Sequence, residues 1–208
     1  MRNNFFNKII FIIIISFFLS LEDVAAEQFN FDVTTIEISE NGNKIIGSNG
    51  GRITSGNNLI IEANKFEYNK LKNILYLSGE VSIKNLEKKS EIYANQITYF
   101  KNDEIIVTNK NSKYILDDYK EINAKTFELN RKENSLNAKG SVKIIDQKAN
   151  LEIYTDDITF LREANEIFTK GKTKLILKPS YNFISKDLNY SINEDILNFN
   201  KKTKIEDD

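Results

Sequence analysis

The amino-acid sequence predicts an all-β fold of about twelve strands in six repeats of 30–31 residues, after an N-terminal signal helix. Two observations carry this. An apolar, polar, apolar triplet returns at a fixed spacing along the chain, and the segments between triplets alternate with the period of two that belongs to strands. A third observation agrees: no helical period occurs beyond the leader.

The leader comes first. Arg2 and Lys8 precede the apolar run Ile9 to Leu21, and Val24-Ala25-Ala26 follows before Glu27. This charged, apolar, small-residue order is that of a secretory signal, with cleavage expected after Ala26. At about 1.5 Å rise per residue the run spans roughly 20 Å, short of the roughly 30 Å hydrocarbon core of a bilayer. The expected division is therefore a signal peptide at 1–26 and one domain at 27–208. A retained membrane anchor is the alternative, with Phe5 and Phe6 extending the run while Lys8 snorkels.

The triplets are Ile36-Glu37-Ile38, Phe66-Glu67-Tyr68, Ile97-Thr98-Tyr99, Phe127-Glu128-Leu129, Ile158-Thr159-Phe160 and Leu188-Asn189-Tyr190. Such a period marks stacked units that cannot bury their apolar faces singly. From the second unit on, an apolar residue stands five before the triplet (Ile61, Ile92, Ile122, Ile153, Phe183) and a small one three before it (Ala63, Ala94, Ala124, Thr155, Ser185). These positions differ in parity from the triplet. The side chains would turn to the wrong face unless the strand bends or bulges between them, at Asn64-Lys65, Asn95-Gln96 and Asp156-Asp157.

The return segments alternate cleanly, as in Leu75, Leu77, Gly79, Val81, Ile83 and in Leu136, Ala138, Gly140, Val142, Ile144, with Gly171 in the equivalent place of the fifth unit. The central glycine marks a second corner. Asn109 and Ser112 replace the glycine and valine in the third unit, and Asn200 replaces the glycine in the sixth, so these units are expected to be irregular. Polar turns such as Asn41-Gly42-Asn43, Lys101-Asn102-Asp103 and Arg131-Lys132-Glu133-Asn134 join the passes.

Composition removes several classes of function. Losing residues 1–26 takes two basic and two acidic residues and leaves the net charge at -1. That balance argues against nucleic acid as a partner, which needs a concentrated basic surface. Cysteine and histidine are both absent, which excludes triads and zinc sites built on them. The carboxylate pairs Asp117-Asp118 and Asp156-Asp157 fall at turns or corners, where solvated acids are ordinary. No catalytic residue, metal ligand or cofactor is assigned, although a structural calcium ion at such a pair is left open. A polysaccharide-acting repeat enzyme and a small outer-membrane β-barrel are the remaining rivals. Lys, Glu, Asn and Asp crowd the outward positions, which speaks against the barrel.

Two readings fit the inward strip. It is the core of a closed sandwich, or it lines a groove for an apolar ligand. An open stack also has two unpaired edges, and the single proline, Pro179, leaves proline blocking nearly absent. Lys201, Lys202 and Lys204 could serve as gatekeepers instead.

The run Ile60-Ile61-Glu62-Ala63-Asn64-Lys65-Phe66-Glu67-Tyr68, followed by Asn73 to Ile83, resembles the "A-x-x-x-x-Y … L-x-A-x-G-x-V" repeat of the OstA-like family. Ala124 to Ile144 resembles a second copy. The family comprises LptA, LptC and the N-terminal domain of LptD. The resemblance runs from about Phe31 to Ile205 and implies a V-shaped β-jellyroll, or β-taco, in the periplasm. It also implies lipopolysaccharide as ligand, its acyl chains in an apolar groove lined by Ile36, Ile38, Phe66, Tyr68, Ile97, Tyr99, Phe127, Leu129, Ile158, Phe160, Leu188 and Tyr190. Other bridge modules, or copies of this chain, would join it by β-strand addition. The segment Glu27 to Val33 resembles the start of LptD-type chains, while a membrane-anchored LptC-like component is the alternative.

Overall fold

The computed structural model describes residues 29–56, 58–179 and 181–207, so the leader expected at 1–26 lies outside the described residues. The chain runs back and forth in twelve antiparallel passes. The first five are β1 (Phe29–Ser39), β2 (Lys44–Ser55), β3 (Leu59–Ala63) with β4 (Lys65–Asn69), β5 (Ile74–Asn85) and β6 (Ser90–Phe100). The sixth is β7 (Ile105–Asn109) with β8 (Ser112–Ile115), the seventh β9 (Lys120–Ala124) with β10 (Thr126–Asn130), the eighth β11 (Ser135–Asp146), and the ninth β12 (Leu151–Leu161). The last three are β13 (Glu166–Lys170) with β14 (Lys172–Leu177), β15 (Tyr181–Lys186) with β16 (Leu188–Ser191), and β17 (Ile196–Phe199) with β18 (Lys204–Asp207). A single 3-10 turn, Glu40–Gly42, joins β1 to β2.

Each pass is creased near its middle, and its two arms pair with the arms of its chain neighbours. β4 pairs with the first arm of β5 and β3 with the second; β7 pairs with β10 and β8 with β9. One half-sheet therefore holds all six triplets, and the opposite one holds the positions five and three before them. The crease falls where the parity slip requires it. Register jumps between Ser78 and Val81 and between Lys139 and Val142 coincide with left-handed backbone at Gly79 and Gly140, with φ of 77° and 81°. A side chain at Gly79 would also meet Asn64 at 2.9 Å.

Units three and five cross the crease differently. Lys110 and Asn111, between β7 and β8, leave the strand, both at positive φ. The buried hydroxyls of Thr108 and Ser112 meet at 2.5 Å, and Thr108 accepts the Phe127 N–H at 2.8 Å. Two units on, Thr169 and Thr173 meet at 2.7 Å and Thr169 accepts the Leu188 N–H at 2.9 Å. A hydroxyl pair thus satisfies the backbone donor that the broken ladder leaves over. In the sixth unit the break is wider, with Asn200 to Thr203 between β17 and β18.

The two half-sheets face each other across one core. Phe29 of one arm lies 5.1 Å from Tyr68 of the other, Tyr114 6.4 Å from Phe127, and Phe183 5.4 Å from Phe199. Ile61, Leu75, Ile122, Leu136, Ile153 and Ile158 have no exposed surface. The fold is all-β, a long sheet creased into a V and filled along its length. β1 at one end, and β17 with β18 at the other, pair on one side only among the described residues. Pro179 lies between β14 and β15, so neither edge is blocked by proline.

Candidate functional site

The twelve strip residues share one inner face. Antiparallel partners project to the same side of a sheet, and Ile38↔Ile45↔Tyr68↔Leu75↔Tyr99 runs across five successive passes in one row. Phe66, Tyr68, Ile97, Tyr99, Phe127, Leu129, Ile158, Phe160, Leu188 and Tyr190 are all buried. Ile36 and Ile38 lie on the same face but are 50% and 61% exposed, because no further pass among the described residues covers β1 and only Gly47 faces Ile36 across the ladder. Packed side chains fill the space between the ten buried positions. The apolar face is open to solvent at the β1 end and again at Ile205 in β18, 61% exposed.

Opposite the crease is a mouth, where the turns of the two half-sheets approach. Turn residues four after the triplet are basic in four consecutive units: Lys70, Lys101, Arg131 and Arg162. Their backbones stack regularly, the Arg131 N–H donating to Glu104 O at 3.0 Å and the Arg162 N–H to Asn134 O at 2.9 Å. Three of the four cations reach over aromatic rings of the interior. Lys101 Nζ sits 4.6 Å above Phe29, the Arg131 guanidinium 5.8 Å from the Tyr99 ring, and the Arg162 guanidinium 6.0 Å from the Tyr114 ring.

Further ties cross the mouth. Lys88 Nζ donates to the Asn134 side chain, and the Tyr190 hydroxyl donates to Asp146 at 2.9 Å. Burial, together with the charges of Arg162 and Arg131, pushes the Lys88 ammonium down. Burial, with the Asp146 hydrogen bond, pushes the Tyr190 phenol up. The Lys88–Asn134 tie borders a cavity of about 240 Å³. The sequence places Lys101, Arg131 and Asn134 in polar turns, and their convergence on one mouth is visible only in the fold.

The two carboxylate pairs have structural surroundings. Asp117 accepts the Tyr119 N–H at 2.8 Å and meets Lys120 at 3.4 Å. Asp156 and Asp157 sit at the crease of β12, Asp157 opposite Lys139. No group of three or more carboxylates able to hold a metal ion occurs among the described residues, and no helix among them is long and apolar enough to cross a membrane.

A creased, open-edged sheet of repeated bent passes with an apolar lining defines a β-jellyroll of the V-shaped kind. Residues 44–146 match the family model described as lipopolysaccharide-assembly, LptC-related. This match and the repeat described above support the OstA-like lipopolysaccharide-transport family as the one the chain resembles. It is also similar to the crystal structure of LptH, the LptA-homologous periplasmic component of the lipopolysaccharide transport device of Pseudomonas aeruginosa. That similarity is 13% identity over 71% of this chain and 92% of that one, with a TM-score of 0.30, a loose likeness in three dimensions. No curated protein matches the sequence.

Proposed function

We propose that the protein is a lipopolysaccharide-binding module of the periplasm. It takes lipid acyl chains between its half-sheets and joins other transport modules through its unpaired edge strands. The observation that carries this reading is the unbroken apolar row through successive passes, exposed at the β1 end where Ile36 and Ile38 stand. The family match supports lipopolysaccharide assembly as the setting.

The physics is that of burial. A buried methylene is worth about 0.8 kcal/mol, so burying about ten or more along the row reaches the roughly 8 kcal/mol of micromolar binding without a specific polar contact. Because the interior is filled, a chain enters by displacing core contacts from the open end or by parting the mouth. Photocrosslinkers at Phe127 and Phe160 are expected to trap lipopolysaccharide in cells, and the same probe at Glu128 or Thr159 is not. Equal trapping at all four sites, or none in a folded protein, would mean that the row is only a core.

A further inference from the structure

The cavity at the mouth has a composition that the acyl-chain reading does not use. Its walls include Leu59, Ile83, Ile92, Ile106 and Leu129, continuous with the interior, and its rim brings together Lys88, Arg131 and Arg162. The chain has four arginines, and two of them stand here, 31 residues apart at one repeat position. None of the three cations has a carboxylate at ion-pair distance among the described residues. Glu87 and Glu104 also line the space, so the lining carries a surplus of one positive charge. Glu87 is engaged with the Asn58 amide at 3.1 Å.

A second, independent feature lies at the same place. Tyr114 is 1% exposed and lines the cavity, and its buried hydroxyl makes no hydrogen bond of normal geometry, with Ser90 its nearest polar neighbour. A buried hydroxyl without such a bond forgoes free energy that an incoming acceptor would restore. The buried Ser90 lines the cavity beside it.

We infer that this cavity is a phosphate site, holding the phosphate of an anionic lipid whose apolar part continues into the interior. The inference rests on the lipid-carrying reading above and adds to it a polar anchor. Two guanidiniums offer paired donors to phosphate oxygens, Lys88 adds a point charge, and Tyr114 donates from the buried side. The apolar wall below selects a phosphate attached to a hydrophobic body over the free ion. Burial pushes the Lys88 ammonium down and the charges of Arg162 and Arg131 push it further, and occupancy would relieve this mutual repulsion of the three cations.

The test uses the full chain in micelles of an uncharged detergent, titrated with bisphosphorylated lipid A, with the same lipid freed of phosphate, and with inorganic phosphate alone. Bisphosphorylated lipid is expected to bind about tenfold more tightly than the phosphate-free form, as charge-assisted paired hydrogen bonds allow. It should also shift the side-chain Nε–H signals of Arg131 and Arg162 but not that of Arg52. Arg131→Gln with Arg162→Gln is expected to abolish the preference and keep the affinity for phosphate-free lipid. Tyr114→Phe, which preserves packing, is expected to weaken the preference, and it serves if the arginine double variant does not fold. Equal affinity for the two lipids, or a preference that survives in a folded double variant, overturns the inference. Should neither lipid bind, the carrier reading fails and inorganic phosphate decides. Shifts of the Arg131 and Arg162 signals that chloride does not reproduce support a free-phosphate site, and unshifted signals overturn it.

Discussion

The Tyr190 hydroxyl donates to Asp146 Oδ2 at 2.9 Å, tying β16 of one half-sheet to the end of β11 in the other across 44 residues of chain. Asp146 is 2% exposed and is otherwise held by the Ala149 N–H at 3.0 Å and Lys120 Nζ at 3.7 Å. Tyr190→Phe keeps the ring and removes one donor from a buried carboxylate. The expected cost is about 1–3 kcal/mol, read as a lower urea midpoint with unchanged sheet circular dichroism. The phenol's pKa is raised in the folded state, so its contribution is complete below its unfolded value of 10.0 and is lost as pH rises above that. The wild-type protein should therefore lose stability above pH 10 more steeply than the variant does.

Acid acts through Glu152. Its carboxylate accepts from Lys178 at 2.7 Å and from Tyr154, with Lys143 3.2 Å away, and these hold its pKa down at about 2. A depressed carboxylate pKa gives stability that is present above the ordinary value of 4.5 and is lost as pH falls toward 2. Glu152→Gln is expected to flatten the dependence of melting temperature on pH in that window. An unchanged slope would show that the three partners contribute nothing measurable.

Gly47 is a packing requirement. A Cβ there would lie 1.7 Å from Cε2 of Phe66, whose ring crosses the glycine as its ladder partner. Gly47→Ala is expected to destabilise by about 1–3 kcal/mol through overpacking. Adding Phe66→Leu should recover part of the loss, giving a coupling of about 0.5–3 kcal/mol in a double-mutant cycle. Strict additivity of the two changes would contradict the contact.

The β1 end offers exposed backbone and exposed Ile36 and Ile38 together. Sedimentation is expected to show association that grows with concentration, and Ile36→Lys with Ile38→Lys should abolish it at little cost in stability, since both side chains are already half exposed or more. A wild-type chain that stays monomeric at high concentration and binds no other transport module would count against strand addition.

Much of the fold was legible because it is dictated by period. The inward register follows from Ile61, Phe66 and Tyr68 and from their counterparts one unit on. The slip in parity between Ala63 and Phe66 required the crease before any coordinates did. Gly79 and Gly140 marked the return corners for the same reason. The mouth was not legible. Contacts such as Tyr190 with Asp146, or Arg162 over Tyr114, depend on the angle between half-sheets, which no local pattern encodes. The exposure of Ile36 and Ile38 was hidden too, because a repeat reading treats a terminal unit as though it had two neighbours.

Among the described residues every backbone ladder joins a pass to the passes beside it in the chain, and the longest side-chain hydrogen bond spans 46 residues. No unit waits for a remote segment to complete its pairing, so loop-closure entropy is met in small instalments as the chain grows. Length is thereby separated from foldability. Each further unit would lengthen the sheet by two strand spacings, about 10 Å in all. The length of such a sheet is set by how many units the gene encodes.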